Sequence, residues 1–176
     1  MLRLGILGLG EGRSTMSAAL NSSKWQLKKI CDLNEALCRH RAEEFNFPHY
    51  TLKYEDLLTD PEIDVIGIYT PDKFHAAHVK AALSHGKHVV CTKPFIDDLA
   101  EARSIIDLVE SSGKKVFVGQ SSRMIESNLS AAINQDQGWR GARSVDVEIL
   151  FAYGHGNSLQ PCVGNLGKSF SKNSAL

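Results

Sequence analysis

Short apolar runs alternate along the first two thirds of the chain with stretches whose apolar residues recur every three or four positions. The runs predict strands over residues 2–7, 26–31, 65–69, 88–91 and 115–118, with a shorter one near 49–51. The longer-period stretches predict helices over residues 14–21, 34–45, 54–58, 75–84 and 97–111. In the last of these, Leu99, Ala102, Ile105, Ile106 and Val109 share one face and charged residues take the other. Asp97 or Asp98 caps its start and Gly113 ends it. Strands and helices in alternation, joined by short connections, predict an α/β fold: a Rossmann-type doubly wound parallel sheet with helices on both faces.

The pattern changes after Gln120. A helix is expected over residues 126–136, a turn at Gly138-Trp139-Arg140-Gly141, and an alternating strand over 142–151. Eleven of the last 23 residues are Gly, Asn or Ser, so the end of the chain offers too little apolar surface to offset its ordering entropy. The expected organisation is a nucleotide-binding domain over residues 1–121, only the beginning of a second α+β domain over 122–153, and an irregular tail over 154–176.

Composition narrows the partners. Twenty basic and twenty acidic side chains cancel, so no net field draws the chain to nucleic acid or to an anionic membrane, and neither is expected as a partner. The apolar opening is too short and too glycine-broken for a signal peptide. Cys31, Cys38, Cys91 and Cys162 lack C-x-x-C spacing and read as small buried hydrophobes in a reducing compartment, which predicts a cytoplasmic protein. His75 with His78, and His85 with His88, have H-x-x-H spacing, but no carboxylate or cysteine spacing completes a ligand set and no metal is expected.

The candidate chemistry begins where the first apolar run breaks into Gly8-Leu9-Gly10. The first glycine allows a tight turn and the second lets the backbone approach a pyrophosphate. The helix beginning near Arg13-Ser14 then aims its unpaired N–H groups at the same anion. Arg13 stands where the G-x-G-x-x-G pattern has its third glycine, and Gly12 falls one residue early. Arg13 either neutralises a phosphate oxygen or is solvated on the first turn. Glu11 beside a pyrophosphate is repulsive unless it points away. Asp32, at the end of the second strand, is suited to accept both hydroxyls of a ribose. Because Leu33-Asn34-Glu35 follow it, with no arginine to hold a 2′-phosphate, the expected cofactor is NAD in preference to NADP.

A second constellation is more specific: Thr70-Pro71, His75, Ala82-Leu83, Gly86-Lys87-His88-Val89 and Thr92-Lys93-Pro94. With the glycine turn it resembles the Gfo/Idh/MocA family of NAD(P)-dependent oxidoreductases, from residue 2 to about residue 151. The resemblance implies hydride transfer to or from a hydroxyl-bearing carbon of a sugar, polyol or related small molecule. It departs from the family at Thr92, which replaces the glutamate of Glu-Lys-Pro and removes whatever contact that carboxylate makes. It also stops at the first strand of what the family builds into a substrate domain carrying a catalytic Asp and His. The chain as it stands is therefore expected to be incomplete and inactive; a non-catalytic nucleotide-binding protein or a fragment is the alternative reading.

Lys93, at the C-terminal end of a parallel strand, is the expected catalytic group, placed to polarise a substrate hydroxyl. Pro94 makes the Lys93–Pro94 bond a candidate for the cis form. The expected cofactor-binding set is Gly8, Leu9, Gly10, Gly12, Arg13, Ser14, Asp32, Thr70, Pro71, His75, Thr92, Lys93, Gln120 and Arg123. Within it, His75 either lines the crevice or packs the start of its helix. Gln120 and Arg123 either reach the nicotinamide amide or substrate, or connect domains. Cys91 beside Lys93 reads as buried filler rather than a nucleophile. Val145, Val147, Ile149 and Phe151 on an unpaired strand would favour a homo-oligomer or aggregation.

Overall fold

A computed structural model describes residues 1–119. Gln120, Arg123 and everything expected of residues 122–176 lie outside the described residues. Within them the chain forms β1 (Leu2–Leu7), α1 (Gly12–Leu20), β2 (Trp25–Cys31), α2 (Glu35–Glu44), β3 (Tyr50–Thr51), α3 (Glu55–Leu58), β4 (Val65–Ile68), α4 (His75–Ser84), β5 (His88–Thr92), α5 (Leu99–Ser112) and β6 (Val116–Gly119). A single 3₁₀ turn over Asp72–Phe74 leads into α4.

The strands pair in the order β3-β2-β1-β4-β5-β6, all parallel. The chain works outward from β1 to β3, then returns to place β4 on the other side of β1. That reversal leaves a crevice at the C-terminal ends of β1 and β4, where open sheets of this kind receive ligands.

Burial on both faces explains the unbroken apolar character of the central strands. All four residues of β4 are buried. Ile66, Ile68, Val89 and Cys91 pack with Leu57 of α3, Val79 and Leu83 of α4 and Ile105 of α5. Leu4, Ile6, Val65 and Val90 pack with Met16 and Ala19 of α1 and Cys38 of α2. The sheet is thus doubly wound, as the alternation predicts. No helix among the described residues is long and apolar enough to cross a membrane.

Local chemistry sets the helix ends. Asn34 accepts a hydrogen bond from Leu37 N–H at 3.1 Å and opens α2. Asp98, one of the two candidates, does the same for α5 with Glu101 N–H at 2.9 Å. Gly113 closes α5 with φ +64°, a left-handed conformation that suits glycine. The first helix starts two residues earlier than its periodicity predicts, at Gly12, because this residue has no side chain to hold it off the sheet. A Cβ there would lie 2.9 Å from Ile6 Cγ2 and 3.2 Å from the Tyr69 ring.

Candidate functional site

The turn after β1 is shaped by Gly8. Its φ is +89°, and a Cβ on it would strike the carbonyl carbon and oxygen of Tyr69 at 2.6 Å. Gly8 N–H donates to the Cys31 carbonyl at 2.9 Å, which ties the ends of β1 and β2 together. Leu9 is fully buried, and both its backbone groups are held: N–H donates to Asp32 Oδ2 at 2.9 Å, and the carbonyl accepts from Arg41 Nε at 3.1 Å. Gly10 differs from its neighbours. Nothing lies within 4 Å of where its Cβ would be, and its φ requires no glycine. No contact inside the described residues accounts for the missing side chain, and the space beside it is open.

Beside Gly10 lies the start of α1. Glu11 precedes it without a side-chain cap, Ser14 N–H donates to the Glu11 carbonyl at 3.3 Å, and no side chain among the described residues takes the N–H groups of Gly12 and Arg13. The Glu11 carboxylate accepts from the Thr92 hydroxyl at 3.3 Å. Ser14 Oγ donates to the Glu11 carbonyl at 3.0 Å. Arg13 is directed elsewhere: its guanidinium pairs with Glu44 of α2 and lies over the Phe45 ring at 5.7 Å. The pairing with Glu44 raises the guanidinium above its ordinary range.

Asp32 sits just past β2, half-buried. Oδ2 holds Leu9 N–H, and Oδ1 accepts from Asn34 N–H at 2.9 Å. Each carboxylate oxygen can accept more than one hydrogen bond, so capacity for a further donor remains on both.

The other wall is built at the ends of β4 and β5. Thr70 and Pro71 follow β4. His75 is 1% exposed and lies beneath this wall rather than on it. Its Nε2 is 2.7 Å from the Thr70 carbonyl and its Nδ1 2.8 Å from the Pro94 carbonyl, so the imidazole sits between the two strand-end loops and its tautomer sets which carbonyl accepts from it. The Lys93–Pro94 bond is cis. Lys93 is exposed and makes no hydrogen bond or ion pair among the described residues. Cys91 is fully buried, and burial pushes its thiol up to about 12, which suits filler and not a nucleophile.

The glycine turn, Asp32, Thr70-Pro71 and Thr92-Lys93 thus converge on one edge of the sheet, although they come from four strand ends. Two contributors escape the motif reading: Arg41, which fixes the Leu9 carbonyl, and Tyr69, the wall against Gly8 and Gly12. Neither has a local signal, since each meets its partner across many residues of sequence. A separate cavity of about 220 Å³ beside α4 and α5, lined by Lys73, Lys80, Asp97 and Glu101, includes none of the expected site residues.

Comparisons with known proteins agree with this geometry. Residues 2–120 match the family described as an oxidoreductase family with an NAD-binding Rossmann fold. Levoglucosan dehydrogenase of Pseudarthrobacter phenanthrenivorans is 30% identical over 118 residues, covering 62% of this chain and 30% of the relative. D-xylose 1-dehydrogenase (NADP(+)) 2 of Haloferax volcanii is 33% identical over 113 residues, covering 64% and 35% respectively. Among solved structures, biliverdin reductase of Synechocystis in complex with biliverdin and NADP+ superposes with a TM-score of 0.69 at 28% identity, covering 77% of this chain and 42% of that one. The chain spans about a third of the length of the two curated relatives.

Proposed function

The chain belongs to the Gfo/Idh/MocA family of oxidoreductases with an NAD-binding Rossmann fold, and on that premise we propose that its crevice binds NAD(H) in preference to NADP(H) and serves hydride transfer at a hydroxyl-bearing carbon of a sugar or polyol. The observation that carries the reading is Gly10, a glycine that no internal contact requires, at the uncapped start of a nine-residue helix. The N–H groups of that first turn hold the pyrophosphate. Asp32 accepts from the ribose hydroxyls on its remaining lone pairs and repels a 2′-phosphate. Bound there, the nicotinamide supplies the hydride acceptor or donor. Lys93 donates a hydrogen bond to the substrate oxygen and stabilises the negative charge that grows on it as hydride adds to a carbonyl carbon, or as the hydroxyl loses its proton ahead of hydride transfer in the oxidative direction.

Titration calorimetry with NADH and NADPH tests the nucleotide assignment. We expect NADH to bind more tightly; equal or tighter binding of NADPH refutes the role given to Asp32. The chemistry is tested by a panel of sugars and polyols, followed through the absorbance of NADH. A second reading, nucleotide binding without turnover, draws on Thr92, whose hydroxyl engages Glu11 at 3.3 Å and which supplies no carboxylate of its own beside Lys93. Tight NADH binding with no turnover across the panel would favour it.

A further inference from the structure

Two histidines hold Thr70, one by its backbone and one by its side chain. His75 engages the Thr70 carbonyl, while the Thr70 hydroxyl lies 3.0 Å from Nδ1 of His78, one turn further along α4. His78 is itself fixed by packing. Its carbonyl accepts from the Tyr54 hydroxyl at 2.8 Å, and the Tyr54 ring stands edge-on to the imidazole with centroids 5.0 Å apart. The Phe74 ring lies against it at 5.9 Å.

When Nδ1 is an unprotonated lone pair, it can only accept, and the Thr70 hydroxyl must donate to it. The threonine oxygen then presents lone pairs and no proton to the crevice. We propose that His78 is a positioning residue that fixes Thr70 as a hydrogen-bond acceptor, so that the part of the nucleotide docking beside β4 must offer a donor, such as a ribose hydroxyl or the carboxamide NH₂. This deepens the nucleotide-binding reading and rests on it. Burial, and after it the neighbouring His75, keep His78 below its ordinary range, which favours the neutral form.

Protonation reverses the arrangement. An imidazolium donates from Nδ1, the Thr70 proton turns outward, and the crevice loses its acceptor. The titratable groups facing His78 are His75 on the same helix and Tyr54 from before α3; Lys73 lies one ring further out, over Phe74 at 4.9 Å. Burial holds the Tyr54 phenol above its usual range, with Cys31, Cys91 and Glu55 acting on it in the same direction. Neither of the two that face His78, nor Lys73, adds negative charge near neutral pH.

The first test needs no ligand. Nitrogen NMR of the histidine-labelled chain above neutral pH, with His78 assigned by the signal lost in His78→Leu, should show Nδ1 without a proton; a protonated Nδ1 overturns the proposal. The second is NADH affinity across about pH 5 to 8. In the unaltered chain it should fall roughly 3- to 10-fold as His78 takes up its proton, the scale of one hydrogen bond. His78→Leu and Thr70→Val should each abolish that response, and the double variant should bind no worse than the weaker single. His78→Gln, whose amide oxygen can accept from the same hydroxyl, should restore affinity without restoring the pH response. A response that survives His78→Leu, or losses that add in the double variant, overturns the role of His78. A flat profile in an unaltered chain that binds NADH overturns this inference alone. Failure to bind NADH at any pH overturns the nucleotide reading and this inference with it.

Discussion

Gly8, Gly10 and Gly12 lie within five residues and are glycines for three different reasons. Gly8 is needed by the backbone, with φ +89° and the Tyr69 carbonyl 2.6 Å from any Cβ. Gly12 is needed by packing against Ile6 and Tyr69. Gly10 is needed by neither. Gly8→Ala should therefore destabilise the fold by at least about 2 kcal/mol, combining a left-handed conformation with a backbone clash. Gly10→Ala should change stability by less than about 1 kcal/mol. Its Cβ occupies the space assigned to the pyrophosphate, so NADH affinity should fall roughly tenfold or more. Thermal melts paired with calorimetry separate the two effects. A Gly10→Ala chain that binds NADH normally would remove the main support for the site.

At the scale of elements, Lys87 shows why a motif residue need not be a ligand contact. It belongs to the Gly86-Lys87-His88-Val89 run, yet it is 7% exposed, and its ammonium donates to the carbonyls of Asp60 at 2.6 Å and Ile63 at 2.8 Å. The lysine that enters β5 therefore fastens the turn that enters β4. Burial lowers the ammonium below its ordinary range, while Asp60 and Asp64 act to raise it. Lys87→Met keeps the apolar stem and strands both carbonyls, so it should cost about 2 kcal/mol. Urea unfolding measures this directly, and an unchanged midpoint would mean that water replaces the ammonium at no cost. The elements themselves were legible from periodicity, because a strand or helix is a pattern among neighbours. Helix α1 was misjudged at its start because the reason for Gly12 lies on β1 and just past β4, not in α1.

At the end of the sheet opposite the crevice, Arg3 and Asp64 join the starts of the two central strands, β1 and β4. The Arg3 guanidinium and N–H donate to the carboxylate, with contacts of 2.6 and 2.9 Å, at the starts of β1 and β4. These bonds bring the Asp64 carboxyl down to about 2. A carboxylate depressed in the folded state stabilises it above the ordinary aspartate range, and that contribution disappears as pH falls through the folded value. The stability advantage of the unaltered chain over Asp64→Asn should thus be constant above about pH 5 and vanish toward about pH 2. Denaturation midpoints at several pH values check it; an advantage that persists at the acid end would assign the effect to packing.

Sequence by itself determined the alternation of strands and helices, the doubly wound class, a tight turn at Gly8, an aspartate cap at Asp97 or Asp98 with Gly113 ending the helix, and the strand ends from which a site could be built. These depend on residues within a turn or two of each other, where side-chain spacing and backbone preference act directly. Only the tertiary structure decided what each candidate touches. Arg13 faces Glu44 rather than the glycine turn, His75 sits under the wall between Thr70 and Pro94, Asp32 holds Leu9 N–H, and the Thr70 hydroxyl lies against His78 Nδ1. Most of these partners are 19 to 31 residues apart. Thr70 and His78 are eight apart, but on different elements, a strand end and a helix. Hydrogen bonds and ion pairs act over a few ångströms in space, so their pairing is set by how the sheet and helices pack and leaves no local pattern in the chain.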